Sequence, residues 1–203
     1  MNKFGLFVKI RKKNPYKMIM KKTQEHRTFN NLLSRQFKQE IPGNVLCTDI
    51  SYLYYGAGRK AYLSVIKDIA SKEVLSWKVS NNLSMGFVLE TVDLLKNMDI
   101  LNSNTIIHSD QGFHYTNPNY IKKVKDMKLI QSMSRKGNCI DNSPIESFFG
   151  HLKDDVDYRK TKTFEELEKE INNYMEYYNN KRYQWDIKKM TPVQYRNHLL
   201  EIT

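Results

Sequence analysis

The chain has 203 residues, 40% of them hydrophobic and 12% aromatic, enough for one sizeable core with an appendage and too ordered a composition for a disordered protein. No apolar run approaches the roughly 18 residues of a membrane span, which predicts a soluble, cytoplasmic protein with no membrane partner. The net charge of +11 is concentrated: residues 1–43 carry eleven Lys and Arg against Glu25 and Glu40, a net +9, and the remaining 160 residues carry 22 basic against 20 acidic side chains, a net +2.

The first segment, 1–43, includes Arg11, Lys12 and Lys13, breaks at Asn14-Pro15 and ends at the turn signal Ile41-Pro42-Gly43. A basic arm on a near-neutral domain suits DNA, where each neutralised phosphate releases counterions; a solvated tail is the alternative. A core is expected over 44–203. NVLCTDISYLYY, stopped by Gly56-Ala57-Gly58, then KAYLSVIKDIA and EVLSWKVS, form three strand-like runs with tight connections, an antiparallel meander. Met85, Val88, Leu89, Val92 and Leu95 step by three and four and predict a helix. NTIIHSD reads as a short buried strand, NPNYIKKVKDMK as a helix and KLIQSMS as a strand, which makes a parallel crossover. DNSPIESFFGHLKDDV opens with Asp141 or Asn142 as cap and Pro144 in the first turn, the signature of a helix start. A further helix runs through Phe164, Leu167, Ile171, Tyr174 and Tyr178 behind a Thr163/Glu166 capping box, and Thr191-Pro192 begins the last. The order predicts an α/β fold with a mixed sheet, three antiparallel strands and then parallel ones, flanked by helices. Cys47 and Cys139 lie far apart without metal-ligand spacing, which argues against structural zinc and against a disulfide framework.

Asp49 lies mid-strand, Asp110 ends the fourth strand and Glu146 sits inside a helix. Asp49 and Glu146 alone read most simply as solvated acids, and Asp110, at a strand end, as either catalytic or a cap of the following turn. A meander followed by a crossover, however, puts the first strand at the centre beside the fourth. Asp49 and Asp110 then lie on neighbouring strands, with the helix of Glu146 across their ends. Like charges about 4 Å apart repel by about 4 kcal/mol at an effective dielectric near 20, so three converging carboxylates require protons or cations. Oxygen-only ligands favour Mg²⁺ or Mn²⁺, and two such ions suit an in-line phosphoryl displacement.

Thr48-Asp49-Ile50, HSDQG at 108–112 and DNSPIESFFGHLK at 141–153 resemble the three catalytic blocks of bacterial insertion-sequence transposases of the second-reading-frame (OrfB) type, within the retroviral-integrase-like superfamily. Thirty-five residues separate Asp110 from Glu146 (146 − 110 = 36), the spacing of that group, and NNKRYQW and MTPVQYR resemble its closing motif. The resemblance covers residues 44 to about 198. It implies a ribonuclease-H-like fold and a triad of Asp49, Asp110 and Glu146 holding two divalent metals. It further implies metal-dependent cleavage that exposes a 3′-hydroxyl, and strand transfer into target DNA by a homo-oligomer on paired element ends. Lys153 matches a basic position that contacts DNA. His108, Gln111 and Asn142 would position DNA or the acids, although His108 could instead satisfy a local backbone group and Asn142 could simply cap its helix. Tyr177, Tyr178, Lys181 and Arg182 could contact DNA or belong to the core. FGLFVKIRKKNPYK resembles only the final part of the family's helix-turn-helix-like region, so the first-reading-frame DNA-binding protein is a possible partner and the nucleoid a possible location. A nuclease that cuts without joining, and a silent DNA-binding remnant, compete with this reading.

Overall fold

The computed structural model describes residues 28–202 other than 97 and 136; Arg11, Lys12 and Lys13, with most of the basic arm, lie outside the described residues. Five strands, β1 (Val45–Tyr55), β2 (Arg59–Asp68), β3 (Val74–Ser80), β4 (Ile106–Ser109) and β5 (Ile130–Met133), form one sheet in the order β3-β2-β1-β4-β5. β1 to β3 are the antiparallel meander, and β4 and β5 add in parallel on the other side of β1. The predicted mixed sheet, with the first strand central and beside the fourth, is what forms.

Helices α1 (Met85–Asp93) and α2 (Pro118–Asp126) cover one face of the sheet. There Phe87, Val88, Val92, Tyr120 and Val124 bury Leu46, Ile66 and Ile107. Helices α3 (Ser143–Asp155) and α4 (Phe164–Asn180) cover the other face, where Ile145, Phe148, Leu152 and Ile171 pack on Cys47, Leu53 and Val65. Because β1 is central and covered on both sides, Val45 to Thr48 are all buried; alternation appears only further along, where Tyr52 and Tyr54 emerge between buried Ser51, Leu53 and Tyr55. Helix α5 (Pro192–Glu201) lies against α4. Both α4 and α5 open with reciprocal capping boxes, Thr163 with Glu166 and Thr191 with Gln194.

Entry into β1 is fixed by the buried Asp68, whose carboxylate accepts from the backbone N–H of Gly43 (3.0 Å) and of Ser71 (2.8 Å) and from the Ser71 hydroxyl (2.6 Å). Gly43 has φ +79°, and a Cβ there would lie 2.1 Å from the Ile100 carbonyl oxygen, so the turn requires glycine. Residues 28–43, expected to belong to the arm, run along the core: Leu33 is buried in it, Leu32 N–H donates to Ser132 Oγ (3.0 Å) and Met133 N–H to the Asn30 carbonyl (3.3 Å). Cys47 is a buried free thiol pushed up to about 12 by burial, hence an inert packing residue.

Candidate active site

The parallel register of β1 and β4 sets Cys47 opposite His108. Two residues beyond each stand Asp49 and Asp110. β4 stops at Ser109 while β1 runs on to Tyr55, so the chain leaves the sheet at Asp110 beside a strand that continues. One oxygen of each is fixed by backbone: Asp49 Oδ1 accepts from the Ile50 N–H (2.8 Å) and Asp110 Oδ1 from the Gly112 N–H (2.8 Å). A Cβ on Gly112 would come within 2.7 Å of Asp110 Oδ1, so the glycine of HSDQG makes room for the carboxylate rather than for an unusual φ.

Burial raises Asp49 to about 7, helped first by the Asp110 charge and then by Glu146, while the Ile50 N–H and the Lys153 ammonium pull it down. Burial also raises Asp110, opposed by the Gly112 N–H and by His114. Asp110, Glu146 and Lys153 therefore each lie within electrostatic reach of Asp49. Glu146, in the first turn of α3, and Lys153, in its last, are both exposed and share one flank of the helix. A half-buried, oxygen-only pair that repels its own second charge suits a hard divalent cation. Among the described residues no three His, Cys, Asp or Glu side chains already close around a common point. Asp49 and Asp110 are half-buried, and Glu146 is exposed.

The amino terminus of α3 is held by a clasp that sequence reasoning missed. The Asp141 side chain, with no exposed surface, receives Arg135 in bidentate fashion (Nε 2.8 Å, Nη2 2.9 Å), the Arg135 N–H (3.1 Å), Arg35 Nε (2.7 Å) and Asn31 Nδ2 (3.0 Å). These donors, Arg135 first, hold its carboxyl far below the usual carboxylate range. Asp141 reads in sequence as a helix cap; nothing local reveals partners 6, 106 and 110 positions away.

His108 is placed inside the fold rather than at the mouth of the site. Its Nε2 lies 3.1 Å from the Asp141 carbonyl and its Nδ1 2.9 Å from Ser132 Oγ. The carbonyl accepts only, so Nε2 carries the proton and Nδ1 accepts from the serine, while burial lowers the ring's pKa and keeps it neutral. The backbone-satisfying role, weighed above against DNA contact, is the one the geometry supports. Gln111 donates from Nε2 to the Ser134 carbonyl (3.0 Å) and ties the loop after β4 to the end of β5. Asn142 stands at the cap position of α3 but makes no side-chain cap bond; it is buried, and its Oδ1 has no partner among the described residues. His114, close enough to lower the Asp110 pKa, was also missed: a histidine after a glycine turn carries no distinguishing pattern.

Two models of the integrase core domain match the chain, over residues 39–139 and 146–200, so the break between them falls just before Glu146. A transposase-like protein of Haemophilus influenzae is 37% identical over 188 residues, covering 88% of this chain and 86% of its own length. InsK of insertion sequence element IS150 in Escherichia coli (strain K12) is also 37% identical, over 171 residues, and the chain spans 60% of its length. The transposase for insertion sequence element IS904 of Lactococcus lactis is 30% identical over 170 residues, 67% of its length. Among solved structures, the HTLV-2 integrase catalytic core domain in complex with magnesium superposes with a TM-score of 0.60 at 15% identity, over 77% of this chain and 97% of that one. A chain of the simian T-cell lymphotropic virus intasome in complex with PP2A regulatory subunit B56 gamma superposes with a TM-score of 0.64 at 14% identity, over 86% of this chain and 60% of that one. The sheet order and these likenesses agree on a ribonuclease-H-like core, and the chain belongs to the insertion-sequence transposases with an integrase-type catalytic core.

Proposed function

We propose that the chain is the catalytic part of a transposase that cuts DNA at the end of an insertion sequence and joins the exposed 3′-hydroxyl to target DNA. The observation that carries this is the half-buried pair Asp49 and Asp110, both raised by burial and Asp49 further by the Asp110 charge, with Glu146 and Lys153 on one flank of α3 within electrostatic reach of Asp49. Asp49, Asp110 and Glu146 would hold two Mg²⁺ or Mn²⁺ ions, which supply Lewis-acid activation of the attacking oxygen and neutralise charge on the leaving one. The protein's own part is placement. The Ile50 and Gly112 N–H groups fix one oxygen of each aspartate, the Asp141 clasp sets the start of α3 and so the position of Glu146, and Lys153 offers an ammonium to the phosphates beside the scissile bond. The oligomeric assembly of a related intasome supports action as a multimer on paired ends. The basic arm with Arg11, Lys12 and Lys13, or the first-reading-frame DNA-binding protein, would add affinity for the element's ends. Among the described residues no helix is long and apolar enough to cross a membrane, in keeping with work at the nucleoid.

The test is a strand-transfer assay with purified protein, an oligonucleotide bearing the element's end, and Mg²⁺ or Mn²⁺. Joined product is expected, abolished by Asp110→Asn or Glu146→Gln with DNA binding retained. Cleavage without joined product would make the protein a nuclease, and activity surviving either substitution would remove the carboxylates from the reaction.

A further inference from the structure

Helix α3 has a second flank. Opposite Glu146 and Lys153, its residues Ser147, His151 and Asp155 form one wall of a cleft of about 1180 Å³, whose other walls are the carboxyl end of α4 and the 184–190 loop. The cleft is separate from the carboxylates and adjoins them across one helix, about 10 Å thick.

Three features of this cleft bear on what it binds. The first is Lys67. It is 6% exposed, its Nζ donates to the Pro144 carbonyl (3.2 Å) and lies 5.7 and 6.0 Å from the ring centres of Phe148 and Tyr178, and among the described residues it has no carboxylate within ion-pair distance. The second is Gln184, another lining residue, whose Nε2 is buried without an acceptor. A buried amide donor with no acceptor and an ammonium with no carboxylate partner, in one cleft, call for an oxygen-rich ligand. The third is the 184–190 loop. The Gln184 N–H bonds to the Met190 carbonyl (3.0 Å) and Lys72 pairs with Asp186, fastening the loop at its base and middle. Lys188 and Lys189 both sit in left-handed backbone (φ 57° and 58°), a conformation non-glycine residues rarely keep without compensation. What the loop displays is Trp185, 82% exposed, with the Lys189 ammonium 4.6 Å from its ring centre; Tyr183 is 66% exposed beside it.

The charges select the partner. Of the acids lining the cleft, Asp155 already pairs with Arg182 (3.4 Å) and Asp186 with Lys72, which leaves Lys38, Lys67 and Lys181 against Glu40, with Lys188 and Lys189 on the rim. A surplus of ammonium groups around exposed aromatic rings is the pattern that binds a nucleic-acid strand with an unstacked base. Resting on the transposase reading above, we propose that this cleft binds a single DNA strand: an unpaired base stacks on Trp185, and its phosphates lie on Lys181, Lys189 and the Lys67 side of the wall. A duplex keeps its bases stacked on one another and offers no such face to the indole.

The experiment uses the full chain with Asp110→Asn, so that DNA is bound but not consumed, and a mixed-sequence single strand of about 20 nucleotides. The protein's tryptophans are Trp77 and Trp185, so the difference between the parent and its Trp185→Phe variant isolates the loop's emission. Addition of the strand is expected to quench that emission. Trp185→Ala should weaken binding at least about ten-fold with the salt slope unchanged. Lys181→Glu with Lys189→Glu should flatten the slope, and an intact duplex should lose much less from Trp185→Ala than the single strand does. Unquenched emission, unchanged affinity in Trp185→Ala, or quenching that follows protein concentration without DNA would overturn the proposal, the last by marking the loop as a protein interface. If the otherwise unmutated chain transfers strands while Trp185→Ala binds normally, the cleft assignment alone falls; quenching by DNA in a chain that never cuts or joins removes the catalytic reading and keeps the cleft.

Discussion

Replacing Asp49 with asparagine should make the metal-free protein more stable. Burial and the Asp110 charge raise Asp49 from 3.8 to about 7, so the folded state disfavours its ionised form by on the order of 4 kcal/mol. The sign follows from proton counts. Between pH 4 and 7 the folded chain holds a proton that the unfolded chain has released, so stability falls as pH rises through that window and stays low above it. Asparagine keeps the shape and has no charge to desolvate. In EDTA at pH 8 Asp49→Asn should therefore gain up to about 4 kcal/mol over the parent in urea unfolding, and the gain should vanish by pH 4. Mg²⁺ at millimolar concentration should stabilise the parent at pH 8 by relieving the same repulsion, and it should do much less for the variant. The variant is expected to transfer no strands. Equal or lower stability of Asp49→Asn at pH 8 in EDTA, or a difference that does not change with pH, would refute the electrostatic account of the site.

Gly112→Ala pushes a Cβ against Asp110 Oδ1; strand transfer should fall at least about ten-fold while the unfolding midpoint moves by less than about 1 kcal/mol. Asp141→Ala removes the acceptor of Arg135, Arg35 and Asn31 and should cost about 2 kcal/mol in urea unfolding, since both guanidinium groups keep access to water. Deleting residues 1–27, which carry nine of the arm's eleven Lys and Arg, should weaken DNA binding and lower the slope of log affinity against log salt; an unchanged slope would return the arm to the role of solvated tail.

Much of this architecture is legible in the amino-acid order because local chemistry dictates it. The meander comes from tight turns between β-branched runs, the crossover from a short strand on either side of α2, and the openings of α4 and α5 from capping boxes that bond as their sequences predict. Central placement of β1 follows from those connections, and with it the meeting of Asp49 and Asp110. Other features depend on groups that are distant in sequence. Asp141 reads as a cap until Arg35 and Arg135 are folded against it, and His108 reads as a site residue until Ser132 and the Asp141 carbonyl are seen to occupy both ring nitrogens. The segment 28–43 looks like the end of a tail because its apolar residues are few, yet one of them, Leu33, reaches the core. Charge composition had no means of marking that residues 28–43 lie along the core.

Asp49 and Asp141 give the fold opposite pH dependences. Asp141, held below its ordinary range by its arginines, contributes stability that is complete above its unfolded pKa near 3.8 and is lost as pH falls toward its folded value. Asp49 contributes nothing below about 4 and an increasing penalty up to about 7. Taken by themselves, these two groups would place a stability maximum near pH 4 to 5 with a decline toward neutrality, the reverse of what a paired carboxylate produces. The clasp at the start of α3 persists at neutral pH, when the active-site pair is at its most strained, so the helix carrying Glu146 is anchored under the conditions in which Asp49 and Asp110 most favour a cation. With Mg²⁺ the decline on the alkaline side should disappear and the stability maximum should move to neutral pH. A maximum that stays near 4 to 5 in saturating Mg²⁺ would mean that the ion does not reach Asp49.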